Sequence, residues 1–251
     1  MTVEGKGIII TGGASGLGLA TAEMLVERKA RLAIIDINPG VLEPVIERLS
    51  TKSGAEVFGI TGDIVPKAEA YRLFAKAADR LGRVDGLVNC AGVYPRKDIL
   101  AIADEDWDLD FSVNVRGTYN MMAAAVEKMR GQDIRGTVRG RIVNITSVDA
   151  FKAHPKNAHY AATKAAVASL TKSFADAFAP DQILINSVAP AGIATEKAKA
   201  AGFLAELASH TPLGRNAQPD DIAEWIVFML SDANRYMTGE NVIVSGGYIY
   251  A

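Results

Sequence analysis

Cysteine, histidine and long apolar runs are scarce in this sequence. Its single cysteine, Cys90, excludes an internal disulfide and cannot alone form a cysteine-rich metal site. The three histidines, His154, His159 and His210, lack the spacing of a ligand motif, so we expect no metal. No uninterrupted apolar run approaches the roughly 20 residues that span a bilayer, so we expect no membrane partner.

A surplus of charge of either sign is also missing. The 27 basic and 29 acidic residues give a formal net charge of −2, whereas nucleic-acid-binding domains usually carry a marked basic surplus. We therefore expect no nucleic-acid partner. The first residues, MTVEGKGIIITGG, lack the long apolar region and cleavage site of a secretory signal, so we expect a cytoplasmic protein.

What the chain does have is a regular alternation of strand-like and helix-like segments. Seven short apolar runs, beginning with GIIIT at residues 7–11, alternate with segments of helical periodicity. This alternation is typical of an α/β protein in which helices cover both faces of a parallel sheet. No linker, low-complexity tract or internal repeat divides the chain, so we predict one domain over residues 1–251. The irregular stretch at about residues 191–216 contains GFLAELA, which predicts a lid helix.

A glycine-rich loop, TGGASGLG, joins the first predicted strand to the first predicted helix. Gly12, Gly16 and Gly18 would permit a tight turn and the close approach of a pyrophosphate to free backbone amides. No Lys-Ser or Lys-Thr follows, which excludes a P-loop. An ordinary strand-to-helix turn is the alternative, but the position directly after the first strand favours a dinucleotide site.

Asp36 ends the second predicted strand, where an acid can accept hydrogen bonds from the adenosine ribose hydroxyls. The 2′-phosphate of NADP would meet its negative charge, and the glycine loop contains no arginine or lysine to offset the repulsion. The sequence therefore favours NAD over NADP.

Tyr160 and Lys164 lie one helical turn apart in the segment NAHYAATKAAVASLTKSF, so they share a helix face. A free phenol has a pKa of about 10 and is a poor base at neutral pH. A cation about 4 Å away supplies the roughly 4 kcal/mol that lowers this pKa by about 3 units. We expect Lys164 to make Tyr160 a base that can remove a hydroxyl proton. An amphipathic helix with a snorkelling lysine is the alternative.

With these motifs in order, the chain resembles the short-chain dehydrogenase/reductase family over residues 5–247. TGGASGLG resembles the family's cofactor loop, NCAG its NNAG segment, PAGIAT its PGxxxT segment and TGENVIVSGG its closing strand. Cys90, Ala191 and Ser245 depart from the family's Asn, Gly and Asp. The resemblance implies a Rossmann-like, doubly wound α/β fold with a mostly parallel seven-stranded sheet.

The resemblance also implies a catalytic set of Asn114, Ser147, Tyr160 and Lys164. Ser147 would orient the substrate oxygen, Lys164 would hold the nicotinamide ribose, and Asn114 would position Lys164 through water. The cofactor contacts that it implies are Gly12, Ser15, Gly16, Leu17, Gly18, Asp36, Asp63, Ile64, Asn89, Ala91, Gly92, Tyr160, Lys164, Pro190, Ile193 and Thr195.

Residues and resemblance together predict an NAD-dependent oxidoreductase that interconverts a secondary alcohol and its ketone. Because cellular NAD is mostly oxidised, we expect the oxidative direction. An NADPH-dependent 3-oxoacyl-type reductase and a non-catalytic NAD-binding sensor are the alternatives. The resemblance further implies a homotetramer, and the aromatic residues of the carboxyl-terminal GGYIYA could pack at a subunit contact.

The substrate side is expected among residues that flank the catalytic set, namely Tyr94, residues 148–151, His154 and residues 191–216. A solvated loop position is nevertheless the preferred interpretation of His154.

Neighbouring side chains have plain structural interpretations. Arg96 and Lys97 follow the fourth strand, where they could meet an anionic substrate or form a solvated pair. Cys90 is expected to pack as a small apolar residue, and Trp107 to pack inward from the acidic helix start ADEDWDLD.

Overall fold

A seven-stranded parallel sheet forms the centre of the computed structural model, which describes residues 2–250. The strands are β1 (Gly7–Thr11), β2 (Arg31–Asp36), β3 (Val57–Thr61), β4 (Gly86–Asn89), β5 (Gly140–Ile145), β6 (Ile183–Pro190) and β7 (Asn241–Val244). The predicted fold class and number of strands are confirmed. The predicted domain bounds include Met1 and Ala251, which lie outside the described residues, and the single domain stays a prediction.

The order of the strands is β3-β2-β1-β4-β5-β6-β7, and every neighbouring pair is parallel. The chain therefore builds outward from β1 to β3, returns to place β4 on the other side of β1, and continues to β7. In sheets of this kind, ligands bind beyond the carboxyl ends of the strands where the order reverses. The fold thus predicts a site beside the ends of β1 and β4.

Helices cover both faces of the sheet. The helices within residues 2–250 are α1 (Gly16–Glu27), α2 (Pro39–Ser53), α3 (Lys67–Leu81), α4 (Asp104–Asp110), α5 (Thr118–Arg130), α6 (Ala158–Phe178), α7 (Glu196–Ala200), α8 (Leu204–Ser209) and α9 (Pro219–Leu230). In β1, Ile8 and Ile10 join the core under α1, α2 and α9, whereas Ile9 joins the core under α3 and α5. Both faces of this strand are buried, which explains why it is apolar at every position. In the described part of the chain, no helix has the length and apolarity to cross a bilayer.

A π-helical segment, Phe111–Gly117, lies between α4 and α5. The wider turns of a π-helix are frequent at functional sites because they redirect side chains. This segment carries Asn114, which is fully buried. Trp107 of α4 is 39% exposed and stacks on Phe111, so the prediction that it packs inward is wrong in part.

The segment between β6 and α9 contains two short helices, and α8 falls within the predicted lid segment GFLAELA. Its two ends are tied together, because the Ala217 amide donates to the Gly192 carbonyl and the Ala194 amide donates to the Ala217 carbonyl. The Asn216 side chain also donates to the Leu204 carbonyl at 2.7 Å. The segment between β6 and α9 therefore starts and finishes at a fixed point of the fold, and its role as a lid stays a prediction.

Packing of α9 against α1 generates a prediction about stability. Ile226→Ala removes a fully buried side chain and is expected to lower the free energy of unfolding by about 2–5 kcal/mol. Ile99→Ala makes the same change at a side chain that is 58% exposed, and should cost less than about 1 kcal/mol. Urea denaturation measures both values, and equal losses would contradict the assignment of Ile226 to the core.

Candidate active site

A cavity of about 1040 Å³ opens beyond the carboxyl ends of β1, β4, β5 and β6. This volume lies at the upper end of the range of small-molecule and cofactor sites. The predicted site residues that line it are Gly12, Ser15, Gly16, Leu17, Gly18, Asp36, Asp63, Ile64, Ala91, Gly92, Ser147, Tyr160, Lys164, Pro190, Ile193 and Thr195. The cavity does not include Asn89 or Asn114 among its lining residues.

The glycine loop folds tightly against the end of β4. A Cβ at Gly12, which has a φ of 65°, would lie 2.6 Å from the Cα of Ala91. A Cβ at Gly18 would lie 2.2 Å from the Gly12 carbonyl oxygen. Larger residues therefore do not fit without moving the backbone. The side chain of Ser15 does not cap α1, which leaves the first-turn amides available to an anion.

Acidic side chains gather at the β2 end of the cavity. The Asp36 carboxylate accepts hydrogen bonds from the amides of Ala14 at 3.2 Å and Asn38 at 3.1 Å. Glu23 and Asp63 line the same cavity. Among the described lining residues, arginine and lysine occur at positions 96, 164 and 197, outside both the glycine loop and the end of β2. The acidic end of the cavity beside β2 therefore suits neutral hydroxyl groups, which donate hydrogen bonds, better than a negatively charged phosphate.

Ser147, Tyr160 and Lys164 converge where β5 ends and α6 begins. Ser147 follows β5, and its hydroxyl oxygen accepts a hydrogen bond from the Asp149 amide at 3.1 Å. The same side chain hydrogen-bonds Tyr160, an interaction that lowers the pKa of the phenol. Lys164 lies one turn further along α6 and donates from Nζ to the Ile145 carbonyl at 2.8 Å. The predicted reactive side chains therefore share one buried corner.

Burial dominates the ionisation of this corner. The pKa of Tyr160 is raised, first by burial and then by the charge of Asp149. The pKa of Lys164 is lowered to about 8 by burial. Its Nζ lies 5.5 Å from the centre of the Tyr160 ring and donates to the Ile145 carbonyl. Burial and the charge of Asp149 therefore dominate the pKa of Tyr160, and the expectation that Lys164 lowers this pKa stays a prediction.

Asn114 acts as a clamp behind the cavity. Its Oδ1 accepts from the Val93 amide at 2.9 Å, and its Nδ2 donates to the Val93 carbonyl at 2.9 Å and to the Thr163 hydroxyl at 3.2 Å. A Cβ at Gly92 would lie 3.1 Å from Asn114 Oδ1 and 3.8 Å from Lys164 Nζ. Asn114 therefore positions the loop after β4 beside Lys164 and does not itself line the cavity.

The side chain of Asn89 does not lie where the predicted contact with the cofactor requires. Its side chain donates from Nδ2 to Asn144 Oδ1 at 2.8 Å, and Asn144 donates in turn to the Thr171 hydroxyl at 2.9 Å. This polar link joins β4, β5 and α6 inside the core. We therefore assign the side chain of Asn89 to the sheet and not to the cofactor site.

The residues expected at the substrate side flank Ser147 and Tyr160 in the chain. Tyr94 and Val148 line the cavity as expected, and so does His154, whose Nδ1 is buried without a hydrogen-bond partner. The preference for a solvated His154 is therefore wrong. Tyr248 also lines the cavity, although its segment was expected at a subunit contact. Its place directly after the closing strand β7 is the signal that could have identified it.

Arg96 and Lys97 are neighbours in sequence but have separate environments. Lys97 forms an ion pair with Asp106 at 3.3 Å. Arg96 lines the cavity and lies 4.6 Å from the centre of the Phe203 ring. The interpretation of the two as one solvated pair is therefore wrong. Cys90 packs against the core, and burial raises the pKa of its thiol to about 12, as suits a small apolar residue.

His159 lies outside the cavity, fully buried beside Asp110, with 3.6 Å between Nε2 and the carboxylate. Burial raises the pKa of Asp110 to about 6 and lowers the pKa of His159. Across residues 2–250, no cluster of three or more histidine, cysteine or acidic side chains is arranged to hold a metal.

Comparison with known proteins identifies the family of this chain. The family model adh_short_C2, described as enoyl-(acyl carrier protein) reductase, matches residues 12–249. The chain is 32% identical to 3-oxoacyl-(acyl-carrier-protein) reductase FabG of Thermotoga maritima, over 99% of this chain and 100% of that protein. This chain belongs to the short-chain dehydrogenase/reductase family. It is therefore an oxidoreductase that binds a nicotinamide cofactor.

Relatives of this short-chain dehydrogenase/reductase differ in the cofactor that their names state. The chain is 32% identical to the NAD-dependent glycerol dehydrogenase of Listeria innocua, over 98% of this chain and 94% of that protein. It also matches the solved structure of ElxO with NADP bound, with a TM-score of 0.89 and 28% identity over 97% of this chain and 98% of that chain. Kinship alone therefore does not decide between NAD and NADP.

The buried ammonium of Lys164 in this short-chain dehydrogenase/reductase generates a prediction about pH. Its pKa is about 8 in the folded protein and 10.5 in the unfolded chain, so between these values the unfolded state binds the extra proton. The stability of the wild type should therefore rise relative to Lys164→Met by about 2 kcal/mol between pH 8 and pH 10. Urea denaturation across this range measures the difference.

The matched control is Lys172→Met, which removes an exposed lysine from the same helix. Its difference from the wild type should stay constant over this range of pH. A flat difference for Lys164→Met as well would show that Lys164 is not held charged in a buried place.

Proposed function

We propose that this enzyme transfers a hydride between NAD(H) and a secondary alcohol or its ketone. The observation that carries the proposal is the convergence of Ser147, Tyr160 and Lys164 in the cavity whose other end is acidic at Asp36. General acid–base chemistry at an alcohol requires such a proton-transfer group beside the reacting oxygen.

The residues around the cavity fit a nicotinamide dinucleotide. The glycine loop is a cradle that a Cβ at Gly12 or Gly18 would fill, and uncapped amides of α1 lie beside it. Asp36 would hold the adenosine ribose, and Lys164 the nicotinamide ribose. When bound, the cofactor supplies the hydride acceptor or donor and, when oxidised, a positive ring.

The chain's own residues handle the proton. Ser147 would donate a hydrogen bond to the substrate oxygen and hold it against Tyr160. The raised pKa of Tyr160 keeps its hydroxyl protonated at neutral pH, which suits donation of a proton to a ketone oxygen. In the oxidative direction Tyr160 first loses its own proton to solvent, and its phenolate, which a neighbouring positive charge stabilises, then accepts the proton of the alcohol hydroxyl. Lys164 is the protein group closest to that task.

Charge at the adenosine end supports NAD as the cofactor. Glu23, Asp36 and Asp63 all line the cavity, and the glycine loop carries no cation. A 2′-phosphate would be repelled by Asp36 without a compensating partner. ElxO, a relative in the same family, has NADP bound in its solved structure, so the choice between NAD and NADP is tested by experiment below.

An NADPH-dependent 3-oxoacyl-type reductase is the second candidate function. It is favoured by the similarity to the Thermotoga maritima protein, whose name states that activity. The acidic adenosine end argues against it. A non-catalytic NAD sensor is the third, and the presence of all three reactive side chains argues against that role.

A cytoplasmic homotetramer remains a prediction. On and after α4, the half-exposed rings of Trp107, Phe111 and Tyr119 supply an apolar surface suited to a subunit contact. Size-exclusion chromatography with light scattering measures the oligomeric state.

Cofactor choice is tested by fluorescence titration. NADH is expected to bind about tenfold more tightly than NADPH, or better, because Asp36 repels the 2′-phosphate. Asp36→Asn keeps the shape without the charge and should bring the two affinities within about threefold. Asp79→Asn, an exposed acid outside the cavity, should leave the ratio unchanged. Equal binding of both cofactors by the wild type would contradict the assignment of Asp36.

Tyr160 is tested by removing its hydroxyl. Tyr160→Phe is expected to lower kcat by about 100-fold to 10,000-fold, because the proton-transfer group is lost, while NADH affinity stays within about twofold. Tyr71→Phe is the matched control, since its hydroxyl binds Glu127 and lies outside the cavity. NADH absorbance with a panel of secondary alcohols and ketones measures turnover. Undiminished turnover by Tyr160→Phe would end its assigned role, and NAD binding without turnover by the wild type would favour the sensor.

A further inference from the structure

Three cations surround the substrate end of the cavity, and each lies over an aromatic ring that lines it. The contacts are Arg96 over Phe203 at 4.6 Å, Lys152 over Tyr248 at 3.9 Å and Lys197 over Tyr94 at 4.5 Å, each measured to the ring centre. A cation over a ring is held in place by attraction to the π-electrons, but its charge is not neutralised. These contacts therefore hold positive charge at the substrate end.

None of these three cations takes part in an ion pair with the residues that the structure describes. Their sequence neighbours behave differently, since Lys97 pairs with Asp106 and Lys199 pairs with Glu196 at 2.6 Å. The two lysines that are paired with acids, Lys97 and Lys199, do not line the cavity.

Two acids that line the cavity, Asp149 and Glu196, lie close to these cations along the chain. Glu196 is exposed and bound to Lys199. Asp149 is half-buried two residues after Ser147; burial raises the pKa of its carboxyl, and the charges of His154, Arg96 and Lys152 act in the opposite direction. The single charge of Asp149 cannot balance three cations, so the net charge in this part of the cavity is positive.

The position of the surplus relative to the reacting atoms limits where a negative group can bind. The Tyr94 ring lies 6.5 Å from the Tyr160 ring, and Lys197 lies on the Tyr94 ring. Lys197 is thus separated from the catalytic phenol by one aromatic ring. Asp149 lies beside the proposed catalytic serine, because its amide donates to the Ser147 hydroxyl at 3.1 Å. After burial, its charge is the next cause that raises the pKa of Tyr160. An acidic group directly beside the reacting carbon would meet Asp149, whereas one held further out would meet the cations.

We infer that the substrate is a secondary alcohol or ketone that carries a carboxylate or phosphate at a distance of two or more bonds from the reacting carbon. Arg96 and Lys197 bind this group. Arginine suits the task, because its planar fork matches both oxyacids. The inference rests on the proposed function, which defines the reacting alcohol or ketone of the substrate. It adds a carboxylate or phosphate at the other end of the substrate.

Paired substrates test the inference with the full chain and NAD(H). The carboxylate arm compares 3-hydroxybutyrate and 4-hydroxypentanoate with their methyl esters. The phosphate arm compares 2-hydroxypropyl phosphate with propane-1,2-diol. In at least one arm, kcat/KM should be about tenfold or more higher for the anion. Lactate, whose carboxylate adjoins the reacting carbon, should be a poor substrate because of Asp149.

Two variants assign the preference to named side chains. Arg96→Met and Lys197→Met keep apolar contact with the rings and remove the charge. Each should lower kcat/KM for the anion by about tenfold and change that of the neutral partner by less than about twofold. Lys199→Met is the matched control, because its partner is Glu196 and it does not line the cavity. Equal losses for anion and ester, or an unchanged preference in both variants, would overturn the inference.

Failure of this inference and failure of the proposed function give different results. Ligand binding is measured separately as the shift in Tm that each compound causes in the presence of NADH. Stabilisation by anions that Arg96→Met abolishes, without turnover of any compound, would support the anion site and reject the catalytic proposal. Turnover of esters and acids at equal rates would support the catalytic proposal and reject the anion site. Stabilisation by neither class would reject the anion site.

Discussion

The bond between the Lys164 ammonium and the Ile145 carbonyl is the constraint on which the geometry of the site depends. Ile145 is the last residue of β5, two positions before Ser147, and Lys164 is one turn after Tyr160 on α6. This contact ties the helix to the strand on the side where Ser147 and Tyr160 lie. Burying this cation costs stability, as the depressed pKa of Lys164 indicates. Such a cost is typical of groups kept for chemistry and not for folding.

Much of the support around this bond comes from polar groups inside the core. Asn114 binds both backbone groups of Val93, as a neighbouring strand would, and so extends order into the loop after β4. Asn89 and Asn144 connect two strands beneath the cavity. Buried amides of this kind are stable only when their partners are in place, so they favour one arrangement of the loops over its competitors. The cavity owes its shape to these links as much as to apolar packing.

Sequence reasoning predicted the strands and the glycine loop because their signals are local. Continuous apolar runs mark strands buried on both faces, and Gly12 must accept a backbone conformation that suits glycine. It failed where a side chain's surroundings come from distant segments. Arg96 and Lys97 look equivalent in sequence, yet Phe203 meets one and Asp106 the other. Burial, which raises the pKa of Tyr160, is likewise a property of the whole fold and cannot be read from the spacing of Tyr160 and Lys164.

The segment between β6 and α9 is anchored at both ends, which affects how its sequence can vary during evolution. Because Gly192 and Ala217 are joined by backbone hydrogen bonds, α7 and α8 form a closed excursion from the rest of the molecule. Residues can be exchanged, added or removed within that excursion while β6 and α9 keep their places. Substrate specificity can therefore change in evolution while the strands and the glycine loop on the cofactor side keep their arrangement.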